Sequence, residues 1–209
     1  MATNVPVSGT NQRYSSLAEA YIELFGNVEQ AEPEDQELIR QWATRINGPV
    51  LDAGCGPGQW TQFLQGPDRP ATGIDLVPEF LEFATARYPE CTFRQADMAQ
   101  LPFSDHSFSA ILAWYSIIHT PPQELANVLN SLARVLKPGG QLLIGFFAAE
   151  QLQPFDHKVA PAWYWPVDEL STLLENAGFI VVDHGTRERP GARRHGHIMA
   201  ELKVGPVIK

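Results

Sequence analysis

Residues 50–58 read Val-Leu-Asp-Ala-Gly-Cys-Gly-Pro-Gly, a short apolar run that leads into three glycines at alternate positions. Glycine has no Cβ and adopts backbone conformations that other residues avoid, so this turn can bend sharply and approach a ligand closely. The next residues, 59–64, read Gln-Trp-Thr-Gln-Phe-Leu and favour a helix. A strand that leads through a glycine-rich turn into a helix N-terminus is the arrangement that holds nucleotide-like cofactors in α/β proteins.

The spacing of the glycines separates two kinds of nucleotide site. The dinucleotide fingerprint G-x-G-x-x-G would require glycine at position 59, where this chain has Gln59, and the third glycine is Gly58. An NAD-dependent oxidoreductase is therefore the less favoured interpretation of the turn.

The composition is that of a globular domain with an acidic surface. The chain has 209 residues, of which 44% are hydrophobic and 19% are charged, which suffices for one domain with a full core. Its formal net charge of −9 argues against a wide nucleic-acid surface, because such surfaces need cations to neutralise phosphates. No apolar run approaches the roughly 18 residues of a spanning helix, and residues 1–12 lack the basic and apolar regions of a signal peptide. We therefore expect a cytoplasmic protein with no membrane or nucleic-acid partner.

The two cysteines, Cys55 and Cys91, have neither the spacing of metal ligands nor that of a disulfide framework. No metal site is predicted. Cys55 lies inside the glycine turn, where a small residue fits, and we assign it to the cofactor loop rather than to reactive chemistry.

Strand and helix patterns alternate along the chain after residue 48. Apolar strands separated by helical periods continue to residue 147, and two closing strands, 179–184 and 198–204, are joined by a basic loop too short for a crossover helix. The pattern predicts an α/β fold with a doubly wound, Rossmann-like sheet of about seven strands, mostly parallel with an antiparallel terminal pair. Residues 1–47 should form a tail and covering helices, and residues 48–209 the remainder of a single domain.

Acidic residues follow the second and third predicted strands. Asp75 ends the strand 71–75, and its two carboxylate oxygens can accept both hydroxyls of a ribose. Capping of the helix that begins after Leu76 is the alternative role. Asp97 and Met98 come directly after the third strand.

The pattern Asp52-x-Gly54-x-Gly56-x-Gly58 resembles the first motif of the class I S-adenosylmethionine (SAM)-dependent methyltransferases, and the later phrases follow in that family's order. These phrases are Gly73-Ile74-Asp75, Gln95–Phe103, Asp105-His106-Ser107-Phe108 and Leu136-Lys137-Pro138-Gly139-Gly140-Gln141-Leu142-Leu143. The resemblance covers residues 48–147 and is to the small-molecule branch, with a methyltransferase type 11-like domain. It implies SAM as cofactor, S-adenosylhomocysteine as product, and an adenine contact from Asp97 and the backbone of Met98. The cofactor-binding residues that we assign are Tyr14, Asp52, Gly54, Cys55, Gly56, Gly58, Asp75, Leu76, Asp97, Met98 and Trp114.

The sequence after the fourth strand indicates a small-molecule acceptor. Amino-methylating DNA enzymes carry Asn/Asp-Pro-Pro-aromatic at that place, whereas residues 114–117 read Trp-Tyr-Ser-Ile. The phrase Thr-Pro-Pro-Gln at 120–123 lies later, lacks the aromatic residue, and is interpreted as the proline entry to a helix.

Two polar residues are candidates for the reaction itself. His119 follows the fourth strand, at the sheet edge where ligands bind, and could act as a general base; a structural histidine is the alternative. Tyr14 and Tyr21 share a predicted helix face. The resemblance implies that Tyr14 covers the cofactor, and packing of the helix against the core is the alternative.

Two further segments are candidates for binding the acceptor. Residues 148–166 form a long connection that carries Trp163, Tyr164 and Trp165, and we predict a lid over the acceptor, with a dimer contact as the alternative. The basic residues of 187–197 form either a solvated loop or an anchor for an anionic substrate.

The sequence thus predicts a SAM-dependent methyltransferase with a small-molecule acceptor. A non-catalytic SAM-binding regulator would keep the same cofactor residues and is the alternative. The methylated atom and the oligomeric state stay open, a dimer included.

Overall fold

A computed structural model describes residues 9–205 of the chain. The helices in this range are α1 (Gly9–Ser16), α2 (Ala18–Phe25), α3 (Pro33–Ala43), α4 (Gln59–Leu64), α5 (Pro78–Arg87), α6 (Pro122–Val135) and α7 (Val167–Asn176). The strands are β1 (Val50–Ala53), β2 (Ala71–Asp75), β3 (Thr92–Gln95), β4 (Phe108–Trp114), β5 (Leu136–Ala148), β6 (Gln153–Phe155), β7 (Ala162–Trp165), β8 (Phe179–Arg187) and β9 (His195–Leu202).

The strands form one sheet whose central part is parallel. Strands β3, β2, β1, β4 and β5 lie side by side in that order, each parallel to its neighbour. Strand β9 pairs antiparallel with β5, and β8 pairs antiparallel with β9. The predicted α/β fold, mostly parallel with antiparallel terminal strands, is confirmed.

The central strands are apolar because both faces of the sheet are covered. All four residues of β1 are buried, and Ile111 and Leu112 of β4 face opposite sides of the sheet in two separate apolar clusters. Helix α6 packs its apolar face, including Leu125 and Leu129, on one side, and α3 packs Trp42 on the other. The sheet is thus rigid where its strands end, which is where the site lies.

The connection 148–166 differs from the predicted irregular loop because it contains β6 and β7, which raises the sheet to nine strands. Strand β7 pairs with the last two residues of β5, beyond the point where β4 ends. The backbone N–H of Trp163 also donates to the carbonyl of Ile118. The long β5 leaves backbone groups that need partners past the end of β4, and β7 supplies them.

The basic segment is also more ordered than predicted, because Arg187 and His195 belong to β8 and β9 rather than to a loop. Arg187 pairs with the buried Asp35 at the start of α3. Arg189 pairs with Glu32 and Glu34 beside it. These ion pairs tie the β8–β9 hairpin to the N-terminal helices.

The predicted covering helix 14–25 is interrupted at Leu17, so Tyr14 lies in α1 and Tyr21 in α2. The two rings still meet, with centroids 5.6 Å apart and nearly perpendicular planes. Both contact Phe80 of α5, at 6.0 and 5.2 Å between centroids. The covering helices are thus held on the domain by aromatic packing. Within residues 9–205, no helix has both the length and the apolarity needed to cross a membrane.

Candidate functional site

A cavity of about 750 Å³ opens at the carboxyl ends of the central strands. It is bounded by the glycine turn after β1, the end of β2, the segment after β4, and helix α1. The predicted site residues that line it are Tyr14, Gly54, Gly56, Asp75, Leu76, Asp97, Met98, Trp114 and His119. The fold therefore brings together residues that span more than half of the chain.

The glycine turn needs glycine for two different reasons. Gly54 and Gly56 have φ of +77° and +52°, a region that favours glycine. A Cβ on Gly54 would lie 2.3 Å from the Cβ of Ser116, so the turn packs tightly against the segment after β4. A Cβ on Gly56 would meet no closer atom than Cε1 of Tyr21 at 4.0 Å. Gly56 therefore borders open space in the cavity.

Asp75 shapes the turn as well as lining the cavity. Its Oδ2 accepts a hydrogen bond from the Gly56 N–H, and its Oδ1 accepts one from the Val77 N–H, each at 2.9 Å. Burial raises the pKa of this carboxyl, and the backbone hydrogen bonds oppose that rise. Because each oxygen has a second lone pair, the carboxylate can still accept from a ligand. Both roles considered for Asp75 are thus compatible.

Asp97, like Asp75, both accepts a backbone hydrogen bond and lines the cavity. Its Oδ1 accepts from the Ala99 N–H at 2.8 Å, which begins the short 3-10 turn Met98–Gln100. Asp97 and Met98 line the cavity beside Leu76. Two carboxylates therefore face the same cavity from the ends of neighbouring strands.

Asp52, Cys55 and Gly58 do not line the cavity, which corrects their assignment as ligand contacts. Asp52 is 2% exposed and accepts a hydrogen bond from Thr61 Oγ1 at 2.7 Å; its burial raises its pKa to about 7. Burial also raises the pKa of the Cys55 thiol. A Cβ on Gly58 would lie 2.8 Å from Ala84 and from Phe93. All three support the turn from the side that faces the core.

His119 and Tyr14 form a hydrogen-bonded pair in the cavity wall. The Tyr14 hydroxyl lies 2.9 Å from His119 Nε2, and the Pro161 carbonyl oxygen lies 2.9 Å from His119 Nδ1. A carbonyl oxygen only accepts, so Nδ1 carries the proton and Nε2 accepts from Tyr14. Burial lowers the pKa of His119 and raises the pKa of Tyr14. Both groups are therefore neutral near pH 7, and the imidazole is in its basic form.

Tyr115 and Ser116 also line the cavity, and neither is among the site residues assigned from the sequence. Tyr115 has φ of +53° at the end of β4, and its hydroxyl is hydrogen bonded to Nδ1 of His195. Ser116 Oγ is buried without a hydrogen-bond partner among the described residues. Their position directly after Trp114 was the available signal, because ligands bind beyond the carboxyl ends of parallel strands.

The aromatic triplet of β7, which we predicted to form a lid, is not part of the cavity lining. Trp165 is 2% exposed and belongs to the apolar core, and Trp163 packs against the edge of the same core. The Tyr164 ring lies on the other face of the strand, with its centroid 4.2 Å from that of Phe155. The connection instead contacts His119 of the cavity wall, through the Pro161 carbonyl oxygen and the His157 ring.

Comparisons with known proteins agree with this site. A family described as "Methyltransferase domain" matches residues 50–140. The malonyl-[acyl-carrier protein] O-methyltransferase of Erwinia billingiae is 34% identical over 155 residues, which are 74% of this chain and 59% of that protein. A probable S-adenosylmethionine-dependent methyltransferase of Mycolicibacterium smegmatis is 32% identical over 182 residues, 81% of this chain and 67% of that protein. The chain thus spans 59% to 67% of the length of these relatives.

Solved structures share the fold at low sequence identity. The 1,6-didemethyltoxoflavin-N1-methyltransferase of Burkholderia thailandensis, solved with 1,6-didemethyltoxoflavin and S-adenosylhomocysteine, superposes with a TM-score of 0.72 at 21% identity. The alignment covers 97% of this chain and 94% of that one. These similarities favour the methyltransferase interpretation over the NAD-dependent alternative. The chain belongs to the class I SAM-dependent methyltransferases.

Proposed function

We propose that the protein transfers a methyl group from SAM to a small-molecule acceptor, with His119 as the general base. The observation that carries the proposal is the single cavity that joins Asp75 and the glycine turn to the Tyr14–His119 pair. Its volume of about 750 Å³ falls in the range of pockets for small ligands.

The residues of the cavity fit the cofactor. Open space beside Gly56 and the unpartnered Ser116 Oγ leave both room and a free polar group for the methionine part. The Asp75 carboxylate can accept from the ribose hydroxyls, and Asp97 with Met98 can hold the adenine. The two carboxylates also favour a positively charged ligand. SAM supplies a methyl group that its sulfonium charge activates toward nucleophiles.

The Tyr14–His119 pair is arranged to remove a proton from the acceptor. Pro161 holds His119 by Nδ1, which leaves the Nε2 lone pair directed at the Tyr14 hydroxyl. An acceptor hydroxyl or amine that donates to the Tyr14 oxygen can pass its proton through that hydroxyl to Nε2. The lowered pKa of His119 keeps Nε2 unprotonated at neutral pH. The domain holds the acceptor in position and provides the base, and helices α1 and α2 exclude water from the reacting groups.

The size and charge of the cavity support a small-molecule acceptor. Asp75, Asp97 and Glu124 face it, a charge pattern unsuited to a phosphate backbone. Named relatives support variety among small acceptors, because the Burkholderia protein holds 1,6-didemethyltoxoflavin and the Erwinia protein is named for malonyl-[acyl-carrier protein]. We therefore place the acceptor between the glycine turn and His119.

The test has two stages. Calorimetric titration with SAM, S-adenosylhomocysteine and NAD should show binding of the two sulfur nucleosides and none of NAD; binding of NAD alone would contradict the proposal. Release of S-adenosylhomocysteine is then measured with a panel of phenols, amines and carboxylic acids. Tight SAM binding with no release for any acceptor would favour the regulator, which keeps the same cofactor residues.

A further inference from the structure

A group of aromatic side chains lies next to the part of the cavity wall that Tyr115 and His119 form. Tyr115, Phe147, Phe155 and Tyr164 form this outer aromatic cluster, and each is partly exposed. Phe147 lies 5.1 Å from Tyr115 and 5.4 Å from Phe155 between ring centroids, and Phe155 lies 4.2 Å from Tyr164. The cluster spans the ends of β4 and β5 and the β6–β7 hairpin.

The cluster meets the cavity at two places. Tyr115 lines the cavity and also contacts Phe147. His119 lines the cavity, and its ring centroid is 5.1 Å from that of His157, which lies 6.4 Å from Phe147. Ring contacts from His119 through His157 to Phe147 thus link the cavity wall to the outer aromatic cluster.

Arg193 lies over the outer aromatic cluster. The guanidinium carbon of Arg193 is 4.7 Å from the Phe155 ring centroid and 5.6 Å from that of Phe147. Arg193 is exposed, and its polar contact is a 3.4 Å hydrogen bond to the Asp156 carbonyl. Cation–π contacts with these two rings hold the guanidinium, and its N–H groups can still donate hydrogen bonds in the guanidinium plane.

The charge of Arg193 is not neutralised, in contrast to its neighbours. Arg187 pairs with Asp35, Arg189 with Glu32 and Glu34, and Arg194 with Glu188. Within residues 9–205, Arg193 makes no ion pair. Three arginines of the β8–β9 hairpin thus form ion pairs within the protein. The fourth, Arg193, presents its planar guanidinium donors beside aromatic rings, and this arrangement can bind a carboxylate.

We propose that the acceptor is an aromatic carboxylate whose ring lies on the outer aromatic cluster and whose carboxylate binds Arg193. This inference rests on the proposed function, because it names the acceptor class of the same cavity. The arrangement orients the opposite end of the acceptor, with the group to be methylated, toward the Tyr14–His119 pair.

The test measures binding to protein saturated with S-adenosylhomocysteine. The probes are para-hydroxybenzoate, para-coumarate, caffeate and a hydroxynaphthoate, each compared with its own primary amide. We expect saturable binding of at least one acid, at least about tenfold tighter than its amide, as for a charge-assisted bidentate contact. Arg193→Gln should remove that preference, and Arg193→Lys should keep part of it.

The matched control is Arg194→Gln, which removes an adjacent exposed arginine that already has a partner, and it should leave the preference intact. Tyr164→Leu should weaken the acid and its amide equally, because it removes a ring of the cluster other than the two that hold Arg193. Equal binding of acid and amide, or an unchanged preference in Arg193→Gln, would overturn the inference, as would binding of none of the acids. Failure of the parent protein to bind S-adenosylhomocysteine would instead contradict the proposed function.

Discussion

The two ends of the cavity are built in different ways. At the cofactor end, the central contact joins Gly56 to Asp75 across 19 residues and lies within successive strand–helix units. At the acceptor end, Tyr14 meets His119 across 105 residues, and Tyr115 meets His195 across 80. Local segments thus specify the cofactor end, whereas the acceptor end exists only when the covering helices, the 148–166 connection and the terminal hairpin have docked.

This difference implies that the two ends respond independently to mutation. Changes at the glycine turn should remove cofactor binding, whereas changes at His119 should spare it and slow the reaction. We expect the following effects, from the largest to the smallest, and any one of them could show that the two ends are not independent.

Gly56→Val should abolish detectable SAM binding. The added Cβ meets no atom closer than Cε1 of Tyr21 at 4.0 Å, so the side chain extends into the cavity itself. Calorimetric titration measures the loss. Gly191→Val is the control, because Gly191 also has a positive φ, +77°, but has nothing within 4 Å of its Cβ and lies in the distant hairpin loop. Both variants should lose about 1–2 kcal/mol of stability from backbone strain, and only the first should lose the cofactor.

His119→Asn should lower kcat about a hundredfold or more, the usual contribution of a general base, with SAM affinity unchanged. The Asn amide can still donate to Pro161 but offers no base in place of Nε2. In the parent protein, kcat/KM should fall as the pH falls through the pKa of His119, which burial holds below 6.5. The variant should lack this acid limb.

His106→Asn is the matched control for His119. His106 also bonds a backbone carbonyl through Nδ1, that of Leu136, but it lies at the opposite end of β4. Its φ of +57° is one that Asn tolerates. An acid limb that persists in His119→Asn would show that another group is the base.

Asp75→Asn should weaken SAM binding by about 1–3 kcal/mol, the cost of leaving polar partners unmet, or roughly fivefold to 150-fold. The amide keeps one acceptor oxygen and loses the other, so either the Gly56 N–H or the cofactor loses a partner. Isothermal titration gives the affinity, and thermal unfolding reports the cost to the turn. Unchanged affinity would place the ribose elsewhere in the cavity.

Asp52→Asn should leave SAM affinity unchanged and alter only the pH dependence of stability. Burial raises the pKa of Asp52 to about 7, so its contribution to stability is full below the unfolded pKa of about 4 and is lost as the pH rises through 7. The variant should therefore gain stability relative to the parent between about pH 4 and pH 8. Urea unfolding across this range measures the difference, and a difference independent of pH would contradict the expectation.

The sequence predicted the cofactor end better than the acceptor end. The bounds predicted for β2 and α5 agree with the structure, because turn residues and prolines mark their ends. The lid prediction did not foresee that Trp165 is buried, because exposure cannot be read from aromatic composition. Pairing with β5 places Trp165 in the core and leaves Phe155 and His157, in the preceding part of the connection, near the acceptor side.

The sequence by itself determined the α/β order, the glycine turn and the acids after β2 and β3, since these depend on residues close together in the chain. Only the tertiary structure decided that Asp52 lies beneath the turn, that Tyr14 bonds His119, and that Arg193 lies over Phe155 with no ion pair to any residue of 9–205. Those contacts join distant segments, and a side chain's partners there depend on strand pairing and helix docking, which local pattern does not specify.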